Sequence, residues 1–298
     1  MKFVINWAVL ILFFAPFAQA QREQKNEKKA DGYSEPESYL LLSSGGGYYQ
    51  YRDLATSPLF YSGPGLDLSL AWHREKSKGE KTFLLATSFG IPNAQMASNT
   101  GFAVKSSAMF SHSTLSYSHL HNISKWNKGK WKFWAGGNLT NSFNVRMNKS
   151  LGNNAVGIEA FVNLMASFKV GYDLSHERSG TRKILFIFDR EISPKKQFAH
   201  FKLNAGLLNW NYRPGYAYKE MPELDGTKTN PFQFAFAGYD WSRNGYRLGT
   251  ELSFTKFNVS GNAVQWAYLW DAIHAPGRFE PFQMAMHRIK FTLFFNRK

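Results

Sequence analysis

Residues 65–73 read GLDLSLAWH, and the alternation in this stretch narrows the folds open to the chain. On an extended backbone Leu66, Leu68, Leu70 and Trp72 share one face, and Asp67, Ser69, Ala71 and His73 share the other. The same pattern recurs. In WKFWAGGNLTNSFNV, Trp131, Phe133, Ala135, Leu139, Phe143 and Val145 oppose Lys132, Asn138, Thr140, Ser142 and Asn144. In GYRLGTELSFTKF, Tyr246, Leu248, Leu252 and Phe254 oppose Arg247, Gly249, Glu251 and Ser253. Alternation alone admits a sheet that buries its leucines and also a barrel that turns them outward to lipid. Segment length separates the two. These runs have about ten residues or more, whereas strands of soluble sheets average roughly five or six and a tilted strand crosses a bilayer in about 9–11.

The first residues, MKFVINWAVLILFFAPFAQA, combine a basic Lys2, an apolar stretch and the small-residue sequence Ala18-Gln19-Ala20. They read as a secretory signal peptide over residues 1–20, with the mature chain expected to start near Gln21. No second apolar run of that kind follows, so a membrane-embedded form of this chain must cross by strands. The sequence holds no cysteine, which excludes a lipid-anchored N-terminus of the lipoprotein type. Residues 21–37 carry Arg22, Lys25, Lys28 and Lys29 against Glu23, Glu27, Asp31, Glu35 and Glu37, the composition of a flexible charged tail. The formal net charge of +15 therefore belongs to residues 38–298. For an exported protein that excess points to anionic lipid head groups, anionic solutes or an acidic envelope partner, and not to nucleic acid.

Twelve strand candidates follow the tail, at 39–51, 65–73, 81–89, 103–121, 130–144, 161–173, 182–192, 198–212, 232–241, 246–256, 264–273 and 284–295. Aromatics gather near their ends, among them Tyr48, Tyr51, Trp72, Trp126, Trp131, Trp210 and Trp241, where the interfacial girdles of a barrel belong. The chain closes on HRIKFTLFFNRK, with Ile289, Phe291, Leu293 and Phe295 on one face. This ending resembles the last strand of bacterial outer-membrane β-barrel proteins, although Asn296, Arg297 and Lys298 follow the final phenylalanine. The resemblance implies an all-β, transmembrane, antiparallel up-and-down barrel in a Gram-negative outer membrane. About twelve strands are expected, within a range of ten to fourteen, over residues 38–298. An even number places both termini in the periplasm, with the connections around 53–64, 91–101 and 146–158 facing outward. On a twelve-strand count residues 213–231 become a long periplasmic loop, which fits that rule badly.

One stretch suggests chemistry. YSHLHN, residues 117–122, is similar to the Tyr-x-His-x-Ser-Asn pattern of outer-membrane phospholipases and lipid A deacylases, which nominates His119, His121 and Asn122. His121 stands where the serine nucleophile belongs, and a histidine cannot replace the hydroxyl that its neighbour must deprotonate. Two histidines also fall short of the ligands usual for zinc. GGG at residues 45–47 precedes no helix, so it is a place of bending or close packing and not a phosphate loop. No cofactor motif occurs.

The polar faces place Lys132, Lys169, Lys202, Arg247, Arg288 and Lys290 toward a lumen, with Asp67, Asp173 and Glu251. They are expected to form internal ion pairs that stiffen a narrow barrel, or else to bind anions. Lys76, Lys78, Lys125 and Lys128 sit in turns at one rim, suited to docking lipid heads or an acidic partner. The function expected is a non-catalytic one, as an accessory subunit of an envelope complex or a narrow channel. A lipid acyl hydrolase on the same barrel and a soluble exported ligand-binding β-sandwich are the competing classes.

Overall fold

The computed structural model describes residues 38–97, 103–154, 156–176, 180–184, 188–192, 194–214, 239–276 and 280–297. The strands are β1 (Ser38–Asp53), β2 (Phe60–Lys76), β3 (Gly79–Gly90), β4 (Asn93–Ala97) and β5 (Ala103–Ser107). Next come β6 (Met109–Asn122), β7 (Trp131–Met147), β8 (Val156–Asp173), β9 (Gly180–Ile184) and β10 (Phe188–Ile192). The last five are β11 (Gln197–Pro214), β12 (Tyr239–Ser242), β13 (Tyr246–Phe257), β14 (Ala263–Ala275) and β15 (Phe282–Asn296).

Ten of these close a ring of antiparallel neighbours, β1-β2-β3-β6-β7-β8-β11-β13-β14-β15, sealed where β15 pairs with β1 from Tyr39↔Asn296 to Asp53↔Phe282. The expected all-β antiparallel barrel is present, and its ring has ten strands, the lower end of the expected range of ten to fourteen. Two of the twelve candidates account for the lower number. In place of one strand over 182–192, β9 and β10 pair with each other, with Phe188 opposite Ile184, in a separate two-stranded sheet. Each arm has five residues, too short to cross a bilayer. Residues 232–238 lie outside the described residues; Tyr239–Ser242 only extends the end of β11. The signal peptide and the charged tail also lie outside them.

With ten strands the topology is consistent. β1 begins and β15 ends at what is here called the near end, which also carries the connections 77–78, 123–130, 174–196 and 258–262. The far end carries 54–59, 91–108, 148–155 and 276–281, and both the end of β11 and the start of β12 and β13. The connection after β11, misplaced on a twelve-strand count, thus leaves from the same end as 91–108 and 148–155, while 174–196, which holds β9 and β10, is the long connection of the near end.

The leucines of GLDLSLAWH point outward: Leu66 is 67% exposed and Asp67 is fully buried in the lumen. The same inversion runs round the ring, with Leu85, Leu115, Leu139, Phe143, Leu164, Leu252, Trp266 and Ile289 on the outer wall. In β11 a bulge between Gly206 and Leu208 turns both Leu207 and Leu208 outward, which keeps Asn209, Asn211 and Arg213 inside. Every Asp and Glu of the ten ring strands (Asp53, Asp67, Glu75, Glu80, Glu159, Asp173, Glu251 and Asp271) lies on the lumen face. Basic residues on the outer face, such as Arg52, Lys81 and Lys256, fall close to strand ends, where a charge in lipid costs least.

Gly45 and Gly47 allow tight closure of the ring. A Cβ on Gly47 would meet the His287 carbonyl at 2.6 Å and the Tyr49 hydroxyl at 3.2 Å. Gly47 faces Gly65, which faces Gly90, and the Tyr49 ring lies flat on this lane, 2.5 Å from where a Gly65 Cβ would sit.

Candidate functional site: a lumen sealed at one end

From the far end inward the lumen is filled in layers. Outermost is an apolar cluster of Tyr49, Tyr51, Tyr61, Phe110, Phe161, Ile273, Phe282, Met284 and Met286. Tyr51 stacks on Tyr61 at 4.9 Å between ring centres, and Phe161 on Phe282 at 5.7 Å. A buried ion group is woven into it. Asp53 receives Arg146 at 2.7 Å and Arg213 at 3.0 Å, and Arg146 also pairs with Glu159. The guanidinium of Arg146 lies over the rings of Tyr51 (5.2 Å) and Phe282 (5.0 Å), so its charge is met by carboxylates and by aromatic faces. Arg213 donates to the carbonyls of Ala275 and Glu280, which ties the group to the last far-end connection.

A second layer lies deeper. Asp67 accepts from Ser88 at 2.7 Å and is flanked by Lys290 at 2.8 Å and Arg288 at 3.2 Å. Asp271 holds Arg247 at 2.7 Å, and Arg247 donates on to Ser142 and Asn163. His112, wholly buried, bonds Asn144 and Thr114. Charges at this depth persist because each has a partner; an unpaired one would cost several kcal/mol, on the order of 3–5.

Below this layer the lumen opens into a cavity of about 1020 Å³ that reaches the near end. Its lining contains nine Lys and Arg residues against five Asp and Glu. Lys169 pairs with Glu80 at 2.6 Å and stands over the Trp134 ring at 5.0 Å. Lys202 donates to Ser118, Lys132 lies 6.0 Å above Phe198, and Lys196 stands 5.7 Å from the same ring. All six lysines and arginines assigned to the lumen from the sequence therefore face it. Arg247, Arg288 and Lys290 are locked in the second layer, while Lys132, Lys169 and Lys202 line the cavity. Lys76, Lys78, Lys125 and Lys128 stand exposed at the near-end rim.

The far-end ion group escapes the sequence reading because candidate strands 130–144 and 161–173 stop short of Arg146 and Glu159. Both continue the polar parity of their strands: Arg146 follows Ser142 and Asn144, and Glu159 precedes Phe161 and Asn163 on the lumen side. Extending each candidate by two residues brings them in.

The histidine pair lies on the other side of the wall. His119 and His121 face outward, 4.4 Å apart between ring centres, while Ser118 faces the lumen and receives Lys202. Across the strands His119 is opposite Lys81 and Gly137, neither of which supplies a hydroxyl. Asn122 accepts from Asn127 in the following turn. Among the described residues there is no group of three or more His, Cys, Asp or Glu able to hold a metal.

No family model matches the chain, and no curated protein matches it. Solved structures similar in outline include the transport unit of the autotransporter AIDA-I from Escherichia coli (TM-score 0.38, 9% identity, covering 95% of this chain and 98% of that one). The translocator domain of the autotransporter NalP from Neisseria meningitidis gives a TM-score of 0.32 at 7% identity, covering 96% of each chain. The P. putida toluene transporter TodX gives 0.30 at 7%, covering 89% and 92%.

Proposed function

We propose that this chain is an integral outer-membrane barrel without catalytic activity, sealed toward the outside and serving as an accessory subunit of an envelope complex. The observation that supports the reading most directly is the asymmetry of the lumen. The far end is filled by buried aromatics and paired charges, and the near end opens into a basic cavity. Both ends of the ring and the tight 77–78 connection lie at the near end, the side expected in the periplasm for an even-stranded barrel. The partner is then an acidic periplasmic protein or segment, met by Lys76, Lys78, Lys125 and Lys128 on the rim and by the cavity behind them. Exposed charges are screened beyond about 8 Å at physiological salt, so such docking weakens as salt rises.

The test has two arms. The purified barrel in a planar bilayer is expected to be electrically silent, and a steady wild-type conductance would instead establish the narrow channel, a reading that the basic cavity also favours. Copurification of partners is then compared at low and high salt for wild type and a variant with Lys76, Lys78, Lys125 and Lys128 replaced by Gln. A selective, salt-sensitive loss supports the rim as the interface; unchanged copurification in a folded variant removes it.

A further inference from the structure

The outer wall near the termini carries a group of residues that the lumen-based reading leaves unused. Registered pairing runs Arg74↔Lys81↔His119↔Gly137↔Ala166 across β2, β3, β6, β7 and β8. By strand parity all five face outward. In the next row toward the rim, His121 is opposite Ala135, and Ala135 is opposite Phe168. Two features result. Arg74, Lys81, His119 and His121 form a ledge of basic and imidazole groups facing lipid. Beside it Gly136 and Gly137 leave a dent of about 380 Å³, bounded by Tyr117, His119, His121, Asn138, Leu139 and Leu164.

The depth of this ledge is set by its neighbours. His121 is one residue from the end of β6, and Trp126 and Trp131 stand exposed in and after the turn that follows. Trp126 packs against Phe133 and Phe168, and Trp131 against Tyr172, which makes an aromatic girdle at the level of the lipid head groups. No carboxylate shares the outer face of these five strands, since each of theirs points into the lumen. Lys81, His119 and His121 therefore offer ammonium and imidazole groups to an anion with no carboxylate beside them on these strands, and they border an apolar slot that runs toward the membrane interior past Leu139 and Leu164.

We propose that this wall is a binding site for one anionic phospholipid of the near-end leaflet. The head-group phosphate is held by Lys81, His119 and His121, and one acyl chain lies in the dent over Gly137. The histidine pair then has a recognition role that needs no nucleophile. Gly137 is suited to the floor of such a slot: an added Cβ there meets only the Met165 carbonyl, at 3.7 Å, so the absence of a side chain is not imposed by strand packing. Gly136 beside it differs, because its Cβ would strike the His119 carbonyl at 2.0 Å.

The experiment is lipid retention measured by native mass spectrometry, after release from vesicles containing equal phosphatidylglycerol and phosphatidylcholine. Wild type is expected to keep one phosphatidylglycerol in preference to phosphatidylcholine. Lys81→Gln should lower that preference about fivefold, the effect of one basic residue near an anionic surface. His119→Gln with His121→Gln should lower it further, and Gly137→Leu should displace the lipid while leaving the barrel folded, as judged by heat-modifiable gel mobility. Lys256→Gln, which removes an outward charge on β13 away from this wall, is the control. Equal retention of the two lipids by wild type overturns the proposal. So does a loss in Lys256→Gln matching that in Lys81→Gln, which marks a general charge effect and no localised site.

Discussion

Lys169 and Glu80 stand 2.6 Å apart although β6 and β7 separate their strands. The pair reaches across a chord of the lumen inside the open cavity, toward the near end. Arg146, by contrast, is enclosed with Asp53 and Glu159 among aromatic rings. The two sites should respond differently to loss of a partner. A double-mutant cycle on Lys169→Met and Glu80→Gln is expected to give a coupling of about 1.5–3 kcal/mol, the range for a charged hydrogen bond. Arg146→Met should cost more, about 3–5 kcal/mol, because it strands the buried Glu159 carboxylate and leaves Asp53 with Arg213 alone. Denaturant midpoints in lipid vesicles measure both, and equal costs would mean that the far-end layer is as wet as the cavity.

Facing is tested at mid-strand. Leu68→Arg and Leu252→Arg each put a charge on the outer wall near the bilayer midplane, and each should cost roughly 2–4 kcal/mol. Ser253→Arg, one residue along β13, enters the cavity and should be tolerated better. Equal tolerance on the two faces, read from folding yield and heat-modifiable mobility, contradicts the register.

Within the run of three glycines the middle one should behave unlike its neighbours. Gly46 faces outward, and its added Cβ meets only the Gly65 carbonyl, at 3.6 Å; the same atom on Gly45 would strike the Ile289 carbonyl at 2.2 Å. Gly46→Val is expected to fold normally. Gly45→Val and Gly47→Val should weaken the β1–β15 seam by about 1–3 kcal/mol, the usual cost of overpacking. Melting temperatures in detergent distinguish them.

The hydrolase alternative predicts a different chemical result. With Ser118 on the lumen side and His121 in the nucleophile's position, His119→Ala should leave phospholipid and lipid A acyl composition unchanged. A clear fall in acyl hydrolysis on that substitution would overturn the non-catalytic reading.

The seal makes a functional prediction as well. Tyr51→Ala combined with Phe282→Ala removes two stacked rings from the far-end cluster, and Arg146 loses both aromatic faces against which it lies. The double variant should show conductance steps in a planar bilayer that is silent with wild type. Silence from a folded double variant would move the seal to the deeper Asp67 and Asp271 layer.

Alternation made most of this fold legible. The parity of 65–73 decides that Asp67 and Leu68 face opposite media, and the structure agrees there and for the faces read in 131–145, 246–254 and 289–295, whereas in β11 the bulge at Gly206–Leu208 breaks the alternation. The parity of Lys132, Lys169, Lys202, Arg247, Arg288 and Lys290 likewise carried them to the lumen. What parity does not encode is where an extended run turns back. Residues 182–192 hold a continuous apolar run, 184–188, that suits one strand, but 180–184 and 188–192 pair with each other as β9 and β10. Nor does it encode partners across the lumen: Asp53 meets Arg146 and Arg213 through closure of the whole ring, at sequence separations no local pattern spans.

The seam between β1 and β15 has a kinetic consequence. Asp67 on β2 and Lys290 on β15 flank β1, so their ion pair requires the first and last strands of the ring to have met. Until then a carboxylate and an ammonium destined for the interior have no counter-charge, and the partly zipped sheet exposes two unpaired edges. Contacts of such long range form late and slowly. Closure is thus the step at which the sheet stops being a ribbon able to pair with other chains, and a fault in the GGG segment would be felt first as slow or misdirected assembly.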